Sequence, residues 1–238
     1  MIRRHDFNSA WWGEPVGFIY DPSFFSLIPS ERHERMAEYA WVEFVAPLEQ
    51  APLAVLTGDG FLQSDTQVPF KINLRRIPSM PDRADFDVSW ANESPFTLAQ
   101  EGLAPFTHER YRYLPGATPE RLRARYARFG NVLIAAQPEW CCRVLHDGRV
   151  QGWFLCGQSE QEFGLTLAML HSQADISGML LYQRALHAFA ERGQTVGNAR
   201  FSITNTAVHN IYASLGARFL SPLGYWLWVG SQRPQQVS

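Results

Sequence analysis

The chain has 238 residues, 46% of them hydrophobic and 18% charged, enough to core one large domain or two small ones. Its 21 basic and 23 acidic residues leave a formal net charge of −2, which provides no electrostatic footprint for nucleic acid. No apolar stretch reaches bilayer-spanning length, the opening Met1-Ile2-Arg3-Arg4-His5-Asp6 turns polar too soon for a signal peptide, and Cys141, Cys142 and Cys156 have neither metal nor disulfide spacing. The expectation is a reduced cytoplasmic protein with no metal and no membrane or nucleic-acid partner.

Taken in order, Phe7–Gly13 is aromatic and Val16–Tyr20 reads as a strand. Ser30–Arg35 reads as a helix start with acids in its first turn, and Met36, Tyr39, Ala40 and Val42 continue a helical spacing toward Pro47. Strands are expected around Ala54–Leu56 and Val68–Leu74, with Gly58-Asp59-Gly60 as the turn between them. Gly60-Phe61 and the strand ending near Leu74 echo Gly216-Ala217 and the strand Tyr225–Val229, either as a reduced copy of one half-fold or by coincidence. Polar, proline-punctuated Pro78–Asp85 is the expected linker between a domain at 1–80 and one at 86–238.

In the second part, Phe86–Trp90 reads as a strand, followed by a helix from Glu93 or Phe96 to about Glu101. Thr118-Pro119-Glu120 is a helix N-terminus, and the helix to about Phe129 carries a row of arginines that reads as a solvated face. Asn131–Ala136, Cys141–His146 and Val150–Leu155 read as strands. Phe163–Leu170 is another, reached through a polar turn at Gly157–Glu160. The loop His171–Gly178 then opens a helix on which Met179, Tyr182, Leu186 and Phe189 repeat, with Gly193 as its stop. A strand at Ala199–Ile203, a break at Thr204-Asn205-Thr206, a helix ending near Leu215-Gly216 and the aromatic strand Tyr225–Val229 complete the pattern, and the tail after Gly230 is expected to fray.

This order, with Asn205-Thr206-Ala207, Asn210-Ile211-Tyr212 and Leu215-Gly216-Ala217, resembles the second half of the GNAT acetyltransferases, which move acetyl from acetyl-CoA to amines. The resemblance spans about Phe86 to Val229 and implies an α/β fold: a mixed, mostly antiparallel sheet with flanking helices, preceded by a smaller α/β domain. Asn8–Gly13 and His108–Arg112 are similar to segments of one subgroup, the TDP-fucosamine acetyltransferases. That subgroup implies a nucleotide-linked amino sugar as acceptor, and an antibiotic, a polyamine or a protein N-terminus are other GNAT acceptors. A homodimer is a further possibility, and a module with the fold but no catalysis is the alternative.

The resemblance assigns roles residue by residue. Main-chain groups of Leu167, Ala168, Met169 and Leu170 would pair with the pantetheine amides, as an added strand does. Gln173, Ala174, Asp175, Ile176, Ser177 and Gly178 would seat the pyrophosphate at a helix N-terminus. In this loop Ile176 stands where the family has glycine, and Asp175 places a negative charge beside the expected anion. Asn205 would bond the pantetheine arm or else cap a helix. Tyr212 would protonate the departing thiolate or else pack beneath the last strand. Arg110, Tyr111 and Arg112 would hold the acceptor's diphosphate or base, or form a solvated loop. Glu162 and His171 flank the Phe163–Leu170 strand as possible bases or plain surface residues.

Overall fold

A computed structural model describes residues 1–78 and 85–230, so most of the expected linker and all of the tail after Gly230 lie outside the described residues. The first elements are β1 (Ile2–Arg4), α1 (Asp6–Trp12), β2 (Val16–Ile19), α2 (Pro29–Met36), β3 (Trp41–Pro47), α3 (Leu53–Gly58) and β4 (Leu62–Asn73). Next come β5 (Phe86–Trp90), α4 (Pro119–Ala136), β6 (Cys141–His146), β7 (Arg149–Gln158) and β8 (Phe163–Leu170). The last are α5 (Gly178–Glu191), β9 (Val196–Ser202), α6 (Thr206–Ser214), β10 (Arg218–Phe219) and β11 (Leu223–Val229). Among the described residues, no helix is long and apolar enough to cross a membrane.

The chain forms two compact units, and the partition differs from the expected one. The first comprises Met1–Gln67, Tyr113–Pro115 and the segment from Ser221; the second comprises Val68–Arg112 and Gly116–Leu220. The C-terminal strand was expected in the second domain. It belongs to the first because β11 pairs antiparallel with β3 (Tyr225 opposite Val45) and with the first part of β4 (Tyr225 opposite Asp65). Tyr225, Trp226 and Leu227 are all buried, and a strand apolar on both faces needs a neighbour along each edge and cover on each side.

In the first unit the strands run β1-β2-β3-β11-β4, with only β2 and β3 parallel among the described residues. Phe24, Phe25, Met36, Phe44, Phe61 and Trp226 core it, and Trp12 packs edge-on against Trp41 at 6.0 Å. Residues 41–47 form strand β3, not a helix: Trp41, Val42, Glu43 and Phe44 are all buried, the run that an interior strand requires. Ala54–Leu56 is helical because three apolar residues do not define a period, and the backbone closes a turn from Pro52 O to Leu56 N (3.0 Å).

In the second unit the last part of β4 leads the order β4-β9-β8-β7-β6-β5, with β10 also on β4. The β5–β6, β6–β7 and β7–β8 pairs are antiparallel, while β8 and β9 are parallel. One face is covered by α5 and α6, through Tyr182, Leu186, Phe189 and Tyr212. The other is covered by α4, through Ala127 and Ile134, together with Leu98 and Leu103. This is the expected fold class. Asn131–Ala136 continues α4 instead of forming a strand, because Ala127, Gly130 and Ile134 bury one helical stripe that overrides the β-branched run. No helix forms over 93–99. Pro95 interrupts it, and the Asn131 side chain holds the Leu98 N–H (2.8 Å) and C=O (3.1 Å).

In the first unit, Arg32 forms a buried pair with Asp59, Nε to Oδ2 at 2.5 Å and Nη2 to Oδ1 at 2.8 Å. Removing one partner strands a desolvated charge. Asp59→Ala should therefore destabilise the protein by about 3–5 kcal/mol, read by chemical denaturation; a loss within ~0.5 kcal/mol would show the pair to be dispensable.

Candidate functional site

Strands β8 and β9 pair only at Phe163–Gly197 and Gly164–Asn198. Beyond those positions they part, and 165–169 have no ladder partner on the β9 side among the described residues. The cause lies on the other edge of β8. Leu165 and Thr166 together oppose the single residue Cys156 of β7, a β-bulge. The bulge resets the alternation of side chains: Leu165 packs with α5 and α6, Leu167 and Met169 with the α4 side, and Ala168 with the α5 side again. At the vertex a Cβ on Gly197 would meet the Leu165 side chain at 2.8 Å, so a larger residue there would force Leu165 to shift.

The open edge is closed farther along by the chain itself. His171 N–H donates to Gln151 O of β7 (2.8 Å), so across the trans peptide the Leu170 carbonyl points the other way. There it accepts from Ala104 N–H (3.1 Å), while Ser172 N–H donates to Gly102 O (2.8 Å) and Ser172 Oγ to Glu101 O (3.3 Å). Leu103 faces His171 in this short antiparallel contact and is itself buried in the α4-side core. Of the four strand residues expected to pair with an extended ligand, Leu170 therefore already has its carbonyl engaged; Leu167, Ala168 and Met169 lie on the open stretch.

The loop into α5 is held by the preceding strands. Buried Gln151 accepts the Asp175 N–H (2.9 Å). The Asp175 carboxylate turns to Arg149 (2.5 Å) and His146 (3.4 Å), and His146 Nε2 also meets Asp85 (3.1 Å). Desolvation raises the Asp175 pKa, but the His146 hydrogen bond and the Arg149 charge outweigh it and hold the carboxyl below its ordinary range. The charge expected to face an anion is thus neutralised by its own neighbours. Ile176 packs its side chain against the core, and neither it nor Gly178 has positive φ, so this path does not need the missing glycine. Ser177 Oγ caps α5 through Leu180 N–H (3.4 Å), and helix geometry leaves the N–H groups of Gly178 and Met179 without intrahelical acceptors. Gln173 N–H donates to His171 Nδ1 (3.0 Å), which ties up the lone pair that His171 would need as a base on that nitrogen. Glu162 is exposed in the β7–β8 turn, with its N–H on Ser159 Oγ (3.0 Å).

Tyr212 lies on α6 among Phe70 (4.0 Å between centroids), Tyr182 (5.2 Å) and Phe201 (6.1 Å). Burial, reinforced by Tyr182 and Cys156, pushes its phenol well above the ordinary value, so it stays protonated at neutral pH. Asn205 Oδ1 caps α6 through Val208 N–H (3.2 Å). On the opposite face of the sheet, Tyr111 is fully buried, with the Arg110 and Arg125 guanidiniums each 4.5 Å from its ring centre. Arg110 donates to Tyr111 Oη (2.9 Å) and Arg112 to Thr107 O (2.5 Å). Buried Glu109 accepts from Tyr126 Oη and Tyr111 N–H, so the segment is a packed corner built on its own charges. Among the described residues, no group of three or more His, Cys, Asp or Glu could hold a metal ion.

No protein-family model and no curated protein matches the chain. Solved structures do. A GCN5-related N-acetyltransferase from Sphaerobacter thermophilus is 12% identical with a TM-score of 0.58, over 97% of this chain and 77% of that one. A tandem GNAT protein from the clavulanic acid biosynthesis pathway is 14% identical with a TM-score of 0.52, over 92% and 77%. A functionally unknown conserved protein from Staphylococcus epidermidis is 9% identical with a TM-score of 0.58, over 92% and 85%. The fold is the GNAT fold.

Within this GNAT fold, sequence reasoning missed the bulge at Leu165-Thr166, the Gly102–Ala104 contact and the Gln151 anchor. Gln151 alone left a trace, as an isolated amide just before the apolar run from Gly152 to Cys156. Because Ile176 is partly buried and its backbone needs no glycine, Ile176→Gly should lower stability by about 2 kcal/mol. Thermal unfolding measures this, and an unchanged midpoint would place the Ile176 side chain outside the core.

Proposed function

We propose that the protein is an acetyl-CoA-dependent N-acetyltransferase for a small primary amine, the amino group of a nucleotide-linked sugar. The observation that carries this is the parting of β8 from β9 beside the N-terminus of α5, in a chain with GNAT-like fold over nearly its full length. An open strand edge offers amide partners to an extended arm, and a helix N-terminus offers orphan N–H groups to a pyrophosphate. The residues present suit that ligand: Leu167, Ala168 and Met169 along the edge, and the backbone from Gln173 to Gly178 at the helix start. Asn205, whose carbonyl is spent on its cap, has its amide NH2 for the arm.

Acetyl-CoA supplies the acyl thioester. The acceptor nitrogen forms a bond to the acyl carbon, the carbon–sulfur bond breaks, and the nitrogen loses a proton. Main-chain N–H groups along the opened edge of β8 would stabilise the developing oxyanion, and Tyr212, kept neutral by burial, would protonate the thiolate. Arg110, Tyr111 and Arg112 would contribute on the acceptor side through the rim of their corner rather than through the Tyr111 ring, which is covered. The amino-sugar assignment rests on Asn8–Gly13, His108–Arg112 and the resemblance they carry.

A second reading is favoured by the Ala104–Leu170 contact, which occupies part of the expected ligand edge. On that reading the chain is a non-catalytic module with the same fold. Calorimetric titration with acetyl-CoA separates the two, since one-site binding in the micromolar range is expected of the enzyme. Tyr212→Phe should then lower turnover by about 10²-fold or more while acetyl-CoA affinity changes little. Equal turnover would remove Tyr212 from the chemistry, and no binding by the natural chain would remove the enzyme.

A further inference from the structure

The loop Thr107–Arg112 is joined to the end of β9 by a chain of three side chains. His108 Nδ1 lies 3.0 Å from Thr204 Oγ1. Thr204 Oγ1 lies 2.9 Å from Ser202 Oγ, and Thr204 N–H points back to Ser202 Oγ at 3.4 Å. Ser202 is 7% exposed, whereas His108 is open to solvent. Ala199 and Phe201 of β9 pack toward α5 and α6, so by strand alternation Asn198, Arg200 and Ser202 occupy the opposite face. Ser202 ends the strand that has parted from β8, on the face away from Tyr212.

We propose that Ser202, Thr204 and His108 form a proton relay that carries the acceptor's proton from the cleft to solvent. The inference rests on the acetyltransferase reading and supplies the base which that reading lacks. Hydroxyl groups accept on a lone pair while donating their own hydrogen, and a neutral imidazole with a free Nδ1 ends such a chain. As the nitrogen bonds to the acyl carbon and the carbon–sulfur bond breaks, its proton passes to Ser202 Oγ. The Ser202 hydrogen passes to Thr204 Oγ1, and the Thr204 hydrogen passes to His108 Nδ1. The imidazolium then releases a proton to solvent; Tyr212 separately protonates the thiolate, and its phenolate regains a proton from solvent as CoA leaves.

The charged groups around His108 are mostly committed elsewhere. On its own loop, Glu109 is held by Tyr126 and Tyr111, Arg110 by Tyr111, and Arg112 by Thr107 O. From α6, His209 faces Phe201 and Phe219, and from β9, Arg200 shares the face of Ser202.

The test is the pH profile of kcat/KM with acetyl-CoA. The acceptors are TDP-4-amino-4,6-dideoxygalactose, spermidine and a peptide with a free N-terminus. His108→Gln should lower kcat/KM at pH 7 by about 10–100-fold and change the shape of the profile. Thr204→Val should behave alike, Thr204→Ser should restore activity, and acetyl-CoA affinity should stay within about twofold throughout. Identical profiles for His108→Gln and the natural chain would overturn the relay and leave the acetyltransferase reading intact. Failure of Thr204→Ser to rescue a folded Thr204→Val would also overturn it. Acetyl-CoA binding without transfer to any of the three amines would overturn both. Because His108 is exposed, its replacement leaves the core untouched, so its profile decides the matter even if Thr204→Val unfolds.

Discussion

Two residues of β8 set against one of β7 govern the second unit. The bulge at Leu165-Thr166 opposite Cys156 turns the backbone of β8 just after it has made its last pairs with β9. A regular ladder would have carried the pairing onward and left a closed sheet. Instead the strands separate, and main-chain groups that sheets normally satisfy internally face outward. The vertex closes tightly because Gly197 brings β9 against Leu165, so the parting begins at a defined residue.

The same logic explains the loop after β8. Glycine in such a loop often serves positive φ, and Ile176 has none; its side chain is instead drawn into the core. Rigidity comes from outside the loop, through Gln151 on the Asp175 N–H and through His146 and Arg149 on the Asp175 carboxylate. An acidic residue that looks hostile to an anion in sequence is therefore part of the clamp that positions the N-terminus of α5.

The α4 side of the sheet is closed by irregular backbone. Leu98 and Leu103 plug the core, Asn131 satisfies the Leu98 main chain, and Gly102–Ala104 pairs with Leu170–Ser172. His108 then ties the following loop to Thr204 across 96 positions of sequence. These contacts tie residues 98–108 to the ends of both β8 and β9, a role that composition does not announce.

Much of this was legible in the residues alone. The alternation and turns around β6, β7 and β8, the period of α5, and the Asn205-to-Gly216 phrase all led to the right elements, because each is a local pattern with a local cause. Other assignments depended on partners distant in sequence. Trp41–Pro47 is a strand because β2 and β11 flank it, and Asn131–Ala136 stays helical because α4 keeps burying one stripe. The placement of β11 in the first unit, the bulge that opens β8 and the engagement of Leu170 by Ala104 are likewise beyond any window along the chain. Sequence by itself determined which segments are strands and helices where period and capping speak locally. Tertiary structure decided which strand edges are left unpaired, because an edge is defined by the neighbour it lacks and not by its own residues.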